Sequence, residues 1–507
     1  MISFSGPVTS PGSEEHSYGP LGEPGRAAGR FTGRTVARRR TALAVWGAII
    51  VVGFGAGAIL RSTGHLPVDR FPPLHAEPRL LIGPLLPAMV VGLVGITVLP
   101  VAARRLPWGA VLLTAWLGSA LWAVALQLPD GLARPLTAPT EYLAGLPAIG
   151  DHPLRWLRGF AAAMQAYPTH VKGHPPLPTL ILWALQRAGL RDAGWAAALV
   201  ITAGSSASAA IAVTVRRLAG ADAARRAVPF VVLAPTALWI ATSMDAFFLG
   251  VAAWAVALVT VAATRPAPDG FEGGVRLLRS TSGDRGPGAR GWAVLGCAFA
   301  GGLLLGSLPY LSYGLLPMFA LPLAVLVLTR PSRGVLGALA AGCVVVPAAF
   351  TLAGFSWFAG VAGTHTAWAA GGGARARPYA YFLVGDLSVL ALLIGPATAV
   401  ALPTVLGHAA ALARGRWRSA GRGAVAVERP GVPAWTGRLG WAVAAAFVGM
   451  IALDLSGVTR GEVERIWIPY AAWATIAPAV VRPPARTLLL AQVATALVIQ
   501  ALVRSPW

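Results

Sequence analysis

Apolar runs approaching twenty residues recur from residue 41 almost to the end of this chain, and its arginines fall mostly in the gaps between them. About 20 apolar residues is the length a helix needs to cross the hydrocarbon of a bilayer. With 56% hydrophobic and only 12% charged residues over 507 positions, the chain has too little charged surface for a soluble fold. The pattern predicts an all-α, polytopic membrane helix bundle of about 13 transmembrane helices. They are expected at 41–61, 81–103, 108–128, 194–214, 227–243, 246–264, 292–308, 313–329, 335–354, 383–405, 438–455, 467–482 and 486–503. Residues 1–40, rich in Gly, Ser, Pro and Arg and ending in Arg38-Arg39-Arg40, are expected to be a disordered cytosolic tail. Residues 41–505 form the membrane domain, and the first apolar run reads as a retained anchor.

The net charge of +22 raises nucleic acid as a partner. The arginines lie in short loops between apolar spans, however, where they act as topology signals, so nucleic acid is excluded. With the N-terminus in the cytosol, 27 of the 41 lysines and arginines fall on cytosolic segments and 14 on outer ones. A crossing at Leu177–Leu190 would invert that balance. Pro175–Leu190 is therefore expected to be an amphipathic or re-entrant helix on the outer face. The outer loop 129–193 is long for a compact membrane protein, and long structured loops are often functional. Cys297 and Cys343 fall in apolar runs and read as small buried hydrophobes. The expected location is a plasma membrane, with membrane lipids as surroundings.

Within that loop, Tyr167-Pro168-Thr169-His170-Val171-Lys172-Gly173-His174-Pro175-Pro176-Leu177 gathers His170, Lys172 and His174, and Lys172 is the sole lysine of the sequence. Cationic donors of this kind bind phosphate, beside a glycine that allows close backbone approach. The plainer alternative is a helix start with incidental polar residues. Upstream, Glu141 in Pro139-Thr140-Glu141-Tyr142 suits a general base or a metal ligand, against a solvated loop acid; Asp130 and Asp151 compete with it. Asp245, between two apolar runs, is a functional candidate because acids at membrane depth are costly, or else Ser243 or Asp245 caps the next helix. Gly461-Glu462-Val463-Glu464-Arg465-Ile466-Trp467 brings two acids and an arginine to the same expected side. Arg465 suits a phosphate, or an i, i+3 pair with Glu462. The loop 355–382, with His365, Arg375, Arg377, Tyr379 and three consecutive glycines, reads as a mobile lid or as a plain connector. His365, Arg375, Arg377, Glu462 and Glu464 are thus lid or acceptor candidates.

The order of these features resembles the GT-C superfamily of membrane glycosyltransferases, including its protein mannosyltransferase-like and aminoarabinose transferase-like families. Glu141 lies beyond a helix, and His-Pro-Pro-Leu enters a short apolar helix. An Arg-Arg-Leu-Ala-Gly turn and an outer Asp245 follow. The Thr-Ser-Met-Asp-Ala-Phe-Phe and Gly-Glu-Val-Glu-Arg-Ile-Trp runs look like those of an actinobacterial branch. The likeness covers roughly residues 108–500. It implies a GT-C type bundle that moves a sugar from a polyprenyl-phosphate donor to an envelope glycan, lipid or protein acceptor on the outer face. It implies catalytic roles for Glu141 and Asp245, and donor-phosphate roles for Lys172, His174 and Arg465, joined by His170. A divalent cation, Mg or Mn, is the one cofactor to test, with its ligands unknown. The competing readings are a transporter or flippase of lipid-linked substrates and a non-catalytic envelope-assembly protein. The first would need ionisable residues lining a path through the spans, where Asp386 is the main acid.

Overall fold

The structure, a computed structural model, describes residues 24–66, 70–264, 288–371, 377–420, 433–481 and 485–506, with backbone alone for 24–35 and 416–420. Among them, ten helices are long and apolar enough to cross a membrane. They are α1 (Pro24–Ser62), α2 (Leu86–Arg105), α3 (Trp108–Gln127), α4 (Ala193–Ala219) and α5 (Met244–Ala263). The others are α6 (Ala289–Leu311), α7 (Arg333–Leu352), α8 (Tyr379–Ala420), α9 (Ala434–Ser456) and α10 (Ala485–Leu502). The chain is an all-helical, multi-pass membrane bundle. Helix α1 takes in residues 24–40 of the stretch expected to be a disordered tail. Residues 1–23 lie outside the described residues.

Three expected spans differ. The 227–243 run divides into a helix, Ala221–Val232, and a 3-10 turn, Pro235–Trp239. The 313–329 run opens as a 3-10 helix, Tyr313–Phe319, before the helix Ala320–Thr329. The 467–482 run divides into Ile468–Ala474 and the 3-10 turn Ala477–Val480. Pro235, Pro317 and Pro478 sit in the 3-10 parts, where a missing N–H and a fixed φ disrupt the α-ladder. A hydropathy window registers the apolar run and overlooks the break.

Small residues set how closely the helices pack. Without a hydrophobic force between helices in lipid, close backbone approach carries much of their association. Gly302 and Gly306, four apart on α6, face α7 so tightly that a Cβ on Gly306 would stand 2.3 Å from the Cys343 carbonyl oxygen. In α8 the ladder breaks at Gly395, whose φ of 68° is left-handed, just before Pro396. The break exposes two backbone groups, and one buried side chain from α10 answers both. Gln492 Nε2 donates to the Ile394 carbonyl at 3.1 Å, and Gln492 Oε1 accepts from the Ala397 N–H at 3.2 Å. An unsatisfied buried group costs about 1–3 kcal/mol. Gln492→Leu should therefore lower stability by roughly 2–5 kcal/mol, read as an earlier thermal transition of the detergent-purified protein; an unchanged transition would show that the break needs no partner.

Near the site, β1 (Glu77–Pro78) and β2 (Val503–Arg504) pair antiparallel, with Glu77 opposite Arg504. Arg79 beside them clamps Asp130 with both guanidinium nitrogens, at 2.6 and 2.9 Å. The stretch between α3 and α4 is folded through short helices at Tyr142–Gly145, Pro153–Gly159, Thr169–Lys172 and Leu177–Arg187. The last falls where an amphipathic or re-entrant helix is expected.

Candidate functional site

Four distant segments meet at a buried network of charges. Two of them are first laced by backbone: the His170 N–H donates to the Thr140 carbonyl at 2.9 Å, and the Glu141 N–H to that of Ala138 at 2.9 Å. This sets Glu141 Oε1 2.7 Å from His170 Nδ1, with both residues buried. On the far side of the ring, Arg465 Nη2 stands 3.2 Å from His170 Nε2. A guanidinium has donors only, so Nε2 accepts and the imidazole is the Nδ1–H tautomer, which donates to Glu141. Both ring nitrogens are thereby committed. His170 is placed to hold Glu141, and the expected contact with a phosphate finds no ring nitrogen to make it.

Arg465 is the hub. Its Nη1 donates to Asp245 Oδ2 at 2.8 Å and its Nη2 to Glu462 Oε2 at 2.6 Å. Asp245 arrives on the first turn of α5, and Ser243, at the N-cap, makes no side-chain capping bond. The acid is therefore spent on Arg465, not on the helix end. Of the two expectations for Arg465, the structure holds the i, i+3 pair with Glu462 and adds Asp245 as a second carboxylate. Glu462 continues the chain through its other oxygen, 2.9 Å from Arg377 Nη1, and Arg377 Nη2 lies 3.3 Å from His75 Nδ1. Glu462 holds this bridge with a φ of 58°, a left-handed conformation that costs a non-glycine residue on the order of 1 kcal/mol or more. The adjacent Gly461 N–H is gripped by the Asp386 carboxylate at 3.2 Å.

Burial tunes the other groups. It pushes Glu464 up to about 7, helped by Glu462, and His174 down to about 4. His174 is thus neutral at pH 7. Its Nδ1 meets the His170 carbonyl at 2.9 Å, and its ring packs edge-on to Tyr142. The expected protonated phosphate ligand is a buried, uncharged support. Burial alone would raise Glu462, but Arg465 and then Arg377 outweigh it and hold the carboxyl well below its ordinary range.

Other expected residues stand apart. The Lys172 side chain joins none of these bonds; the residue meets the Thr364 hydroxyl through its carbonyl at 2.9 Å. His365 is exposed on the helix Trp357–Ala370, its ring 6.0 Å from that of Trp368. That helix occupies much of the expected lid, while Arg375 lies outside the described residues. Arg377 belongs to the network. Asp130 is used by Arg79, and Asp151 pairs with Arg187 at 2.7 Å on an exposed surface, which leaves Glu141 as the buried acid of its loop. Among the described residues no three His, Cys, Asp or Glu side chains are placed to hold a metal ion together.

Beside the network opens a cavity of about 520 Å³, lined by Arg70, His75, Glu77, Arg134, Thr137 and Arg504 among others. It touches the network through His75, and Ala138, three residues before Glu141, also lines it. Glu77 is matched by Arg70 at 2.8 Å, so the guanidiniums of Arg134 and Arg504 give the cavity its positive character. Sequence reasoning missed these residues. Each is a lone arginine in its own segment, and only the β1–β2 pairing brings Arg504 to the others.

No family model matches this chain, and no curated protein or solved structure matches it.

Proposed function

We propose that this protein is a GT-C type membrane glycosyltransferase that moves a sugar from a polyprenyl-phosphate donor onto an acceptor hydroxyl at the outer face. The observation that carries this reading is the connected Glu141–His170–Arg465–Asp245 chain beside a cationic cavity. Burying so many ions is expensive and folding does not require it; a hydrophobic substitute is often as stable. Such a network in a membrane bundle argues for chemistry.

In the proposed reaction the acceptor oxygen attacks the anomeric carbon, and the carbon–oxygen bond to the donor phosphate breaks. Glu141 takes the hydroxyl proton, and the polyprenyl phosphate departs with the bonding electron pair. His170 holds the accepting carboxylate in place, and Arg465 fixes the His170 tautomer. Arg134 and Arg504, with His75, receive the leaving phosphate by charge-assisted hydrogen bonds, the electrostatic contribution that usually dominates such catalysis.

We also propose thirteen passages through the bilayer. Glu77 and Arg504 are paired and so lie at one end of the bundle, yet α2–α10 supply nine long helices between them. An odd number of the shorter segments must therefore cross. Asp245 shares the network end with Glu141, so 221–243 returns the chain to that end after α4. Trp357 Nε1 bonds the Pro309 carbonyl at 2.8 Å. The ends of α6 and α7 thus share that side, and 313–329 must cross between them. The segment 468–480 is then the third. With the N-terminus cytosolic, the network faces outward from a plasma membrane.

The deciding experiment offers a polyprenyl-phosphate radiolabelled sugar to membranes containing the protein and measures label in a new product. Label that crosses the bilayer still attached to its lipid would overturn transfer in favour of translocation. Arg134→Gln with Arg504→Gln should raise the apparent KM for the donor about tenfold or more, the loss of two charge-assisted bonds. An unchanged KM would move the phosphate elsewhere.

A further inference from the structure

A second, larger cavity lies at the opposite end of the bundle. It has a volume of about 1520 Å³ and opens between α1, α8 and α9. At the network end α1 and α8 are pinned: the Ser388 hydroxyl donates to the Ile49 carbonyl at 2.7 Å and the Tyr381 hydroxyl to that of Gly53 at 3.2 Å. Trp46 makes a further tie, its Nε1 donating to the Ala391 carbonyl at 2.7 Å. The cavity begins beside these ties, at Ile49 and Leu387, and continues between the two helices to Ala37 and His408. His408, on its rim, is twenty residues beyond Ser388, on the order of 30 Å along helical chain, about one hydrocarbon thickness.

The cavity joins two chemistries. Its walls are apolar, with Ile394, Val400, Phe447 and Val481 among the lining residues, and Trp46 and Trp435 belong to it too. Among the described residues its charged lining side chains are Arg38, Arg39 and Arg226, and no carboxylate lines it. Basic pockets between membrane helices on the cytoplasmic side bind anionic lipid headgroups, and tryptophans favour the same interfacial depth. We propose that this cavity is a binding site for an anionic glycerophospholipid of the inner leaflet, with an acyl chain against the apolar wall and its phosphate on Arg38, Arg39 and Arg226. The site shares no lining residue with the cationic cavity at the other end, and it stands whether or not the protein transfers sugar.

The test uses the full chain, exchanged into vesicles of equimolar phosphatidylglycerol and phosphatidylcholine, extracted, and weighed by native mass spectrometry with its retained lipid. Phosphatidylglycerol should be retained roughly tenfold or more over phosphatidylcholine, the preference expected of three arginines at one headgroup. Arg38→Gln, Arg39→Gln and Arg226→Gln together should abolish that preference. Gly407→Trp should abolish retention with the arginines intact, because Gly407 lines the cavity and an added Cβ there meets nothing within 4 Å. Equal retention of both lipids by the unaltered protein would overturn the site, and needs no variant to fold. Loss in the arginine variant with full retention in Gly407→Trp would overturn the cavity, leaving a surface contact. Retention of a co-purified polyprenyl phosphate in place of phosphatidylglycerol would overturn the assigned lipid.

Discussion

Replacing Arg465 with methionine should cost about 3–5 kcal/mol of stability, the penalty for stranding buried charges, and should be the most damaging single change in the bundle. The guanidinium donates at once to Asp245 and Glu462, at 2.8 and 2.6 Å, with its side chain only 5% exposed. Methionine fills similar volume but leaves the buried Asp245 carboxylate, the half-buried Glu462 and the His170 Nε2 without the donor between them. Arg465→Lys keeps the charge but loses the fork that reaches several acceptors at once, so it should fall between methionine and the native residue. Adding Asp245→Asn and Glu462→Gln to the methionine variant should restore part of the loss, because the stranded charges are then gone. Unfolding of the detergent-purified proteins measures all four. A methionine variant as stable as the native protein would mean that Arg465 does not join these groups.

The same network gives a pH signature. Arg465 and Arg377 hold Glu462 below its ordinary range despite burial, so the unfolded chain binds a proton here at higher pH than the folded one does. Stability from this group is complete above the ordinary carboxylate pKa, about 4.3, and drains away as pH falls through the depressed folded value. In the methionine variant much of that acid-side loss should disappear.

Much of this site was legible because acids are rare here: 19 Asp and Glu in 507 residues. In so apolar a chain each one needs a reason, and the spacing of spans assigned Glu141, Asp245 and Glu462 to one side. Their contacts were not legible. The i, i+3 pair of Arg465 with Glu462 could be read locally, but its bond to Asp245 spans 220 residues and that to His170 spans 295. Lys172 drew attention by its rarity, which says nothing about where a loop side chain points. Gln492 was invisible for the opposite reason. A glutamine inside an apolar run gives no sign that it closes a gap in a helix 98 residues away. The ten long spans follow from hydropathy alone, whereas the three broken ones needed their prolines weighed against it.

If the protein transfers sugar, Glu141→Gln should lower the rate by about 10²–10⁴, the usual contribution of a positioned base, while stability stays nearly unchanged. The pairing of effects is what distinguishes the proposal. Glutamine keeps the shape of glutamate, and its carbonyl oxygen can still accept the His170 Nδ1–H now 2.7 Å away. It cannot take a proton from an acceptor hydroxyl. A structural cap would tolerate the change on both measures; a base tolerates it only in folding. His170 needs a separate readout, because it acts on Glu141 and not on substrate. His170→Leu should lower kcat with little change in KM, as the carboxylate loses its donor. Donor binding, carried by the cationic cavity, should survive both changes. Equal losses of kcat and donor affinity in Glu141→Gln would instead place the carboxylate in binding, and full activity would remove it from the reaction.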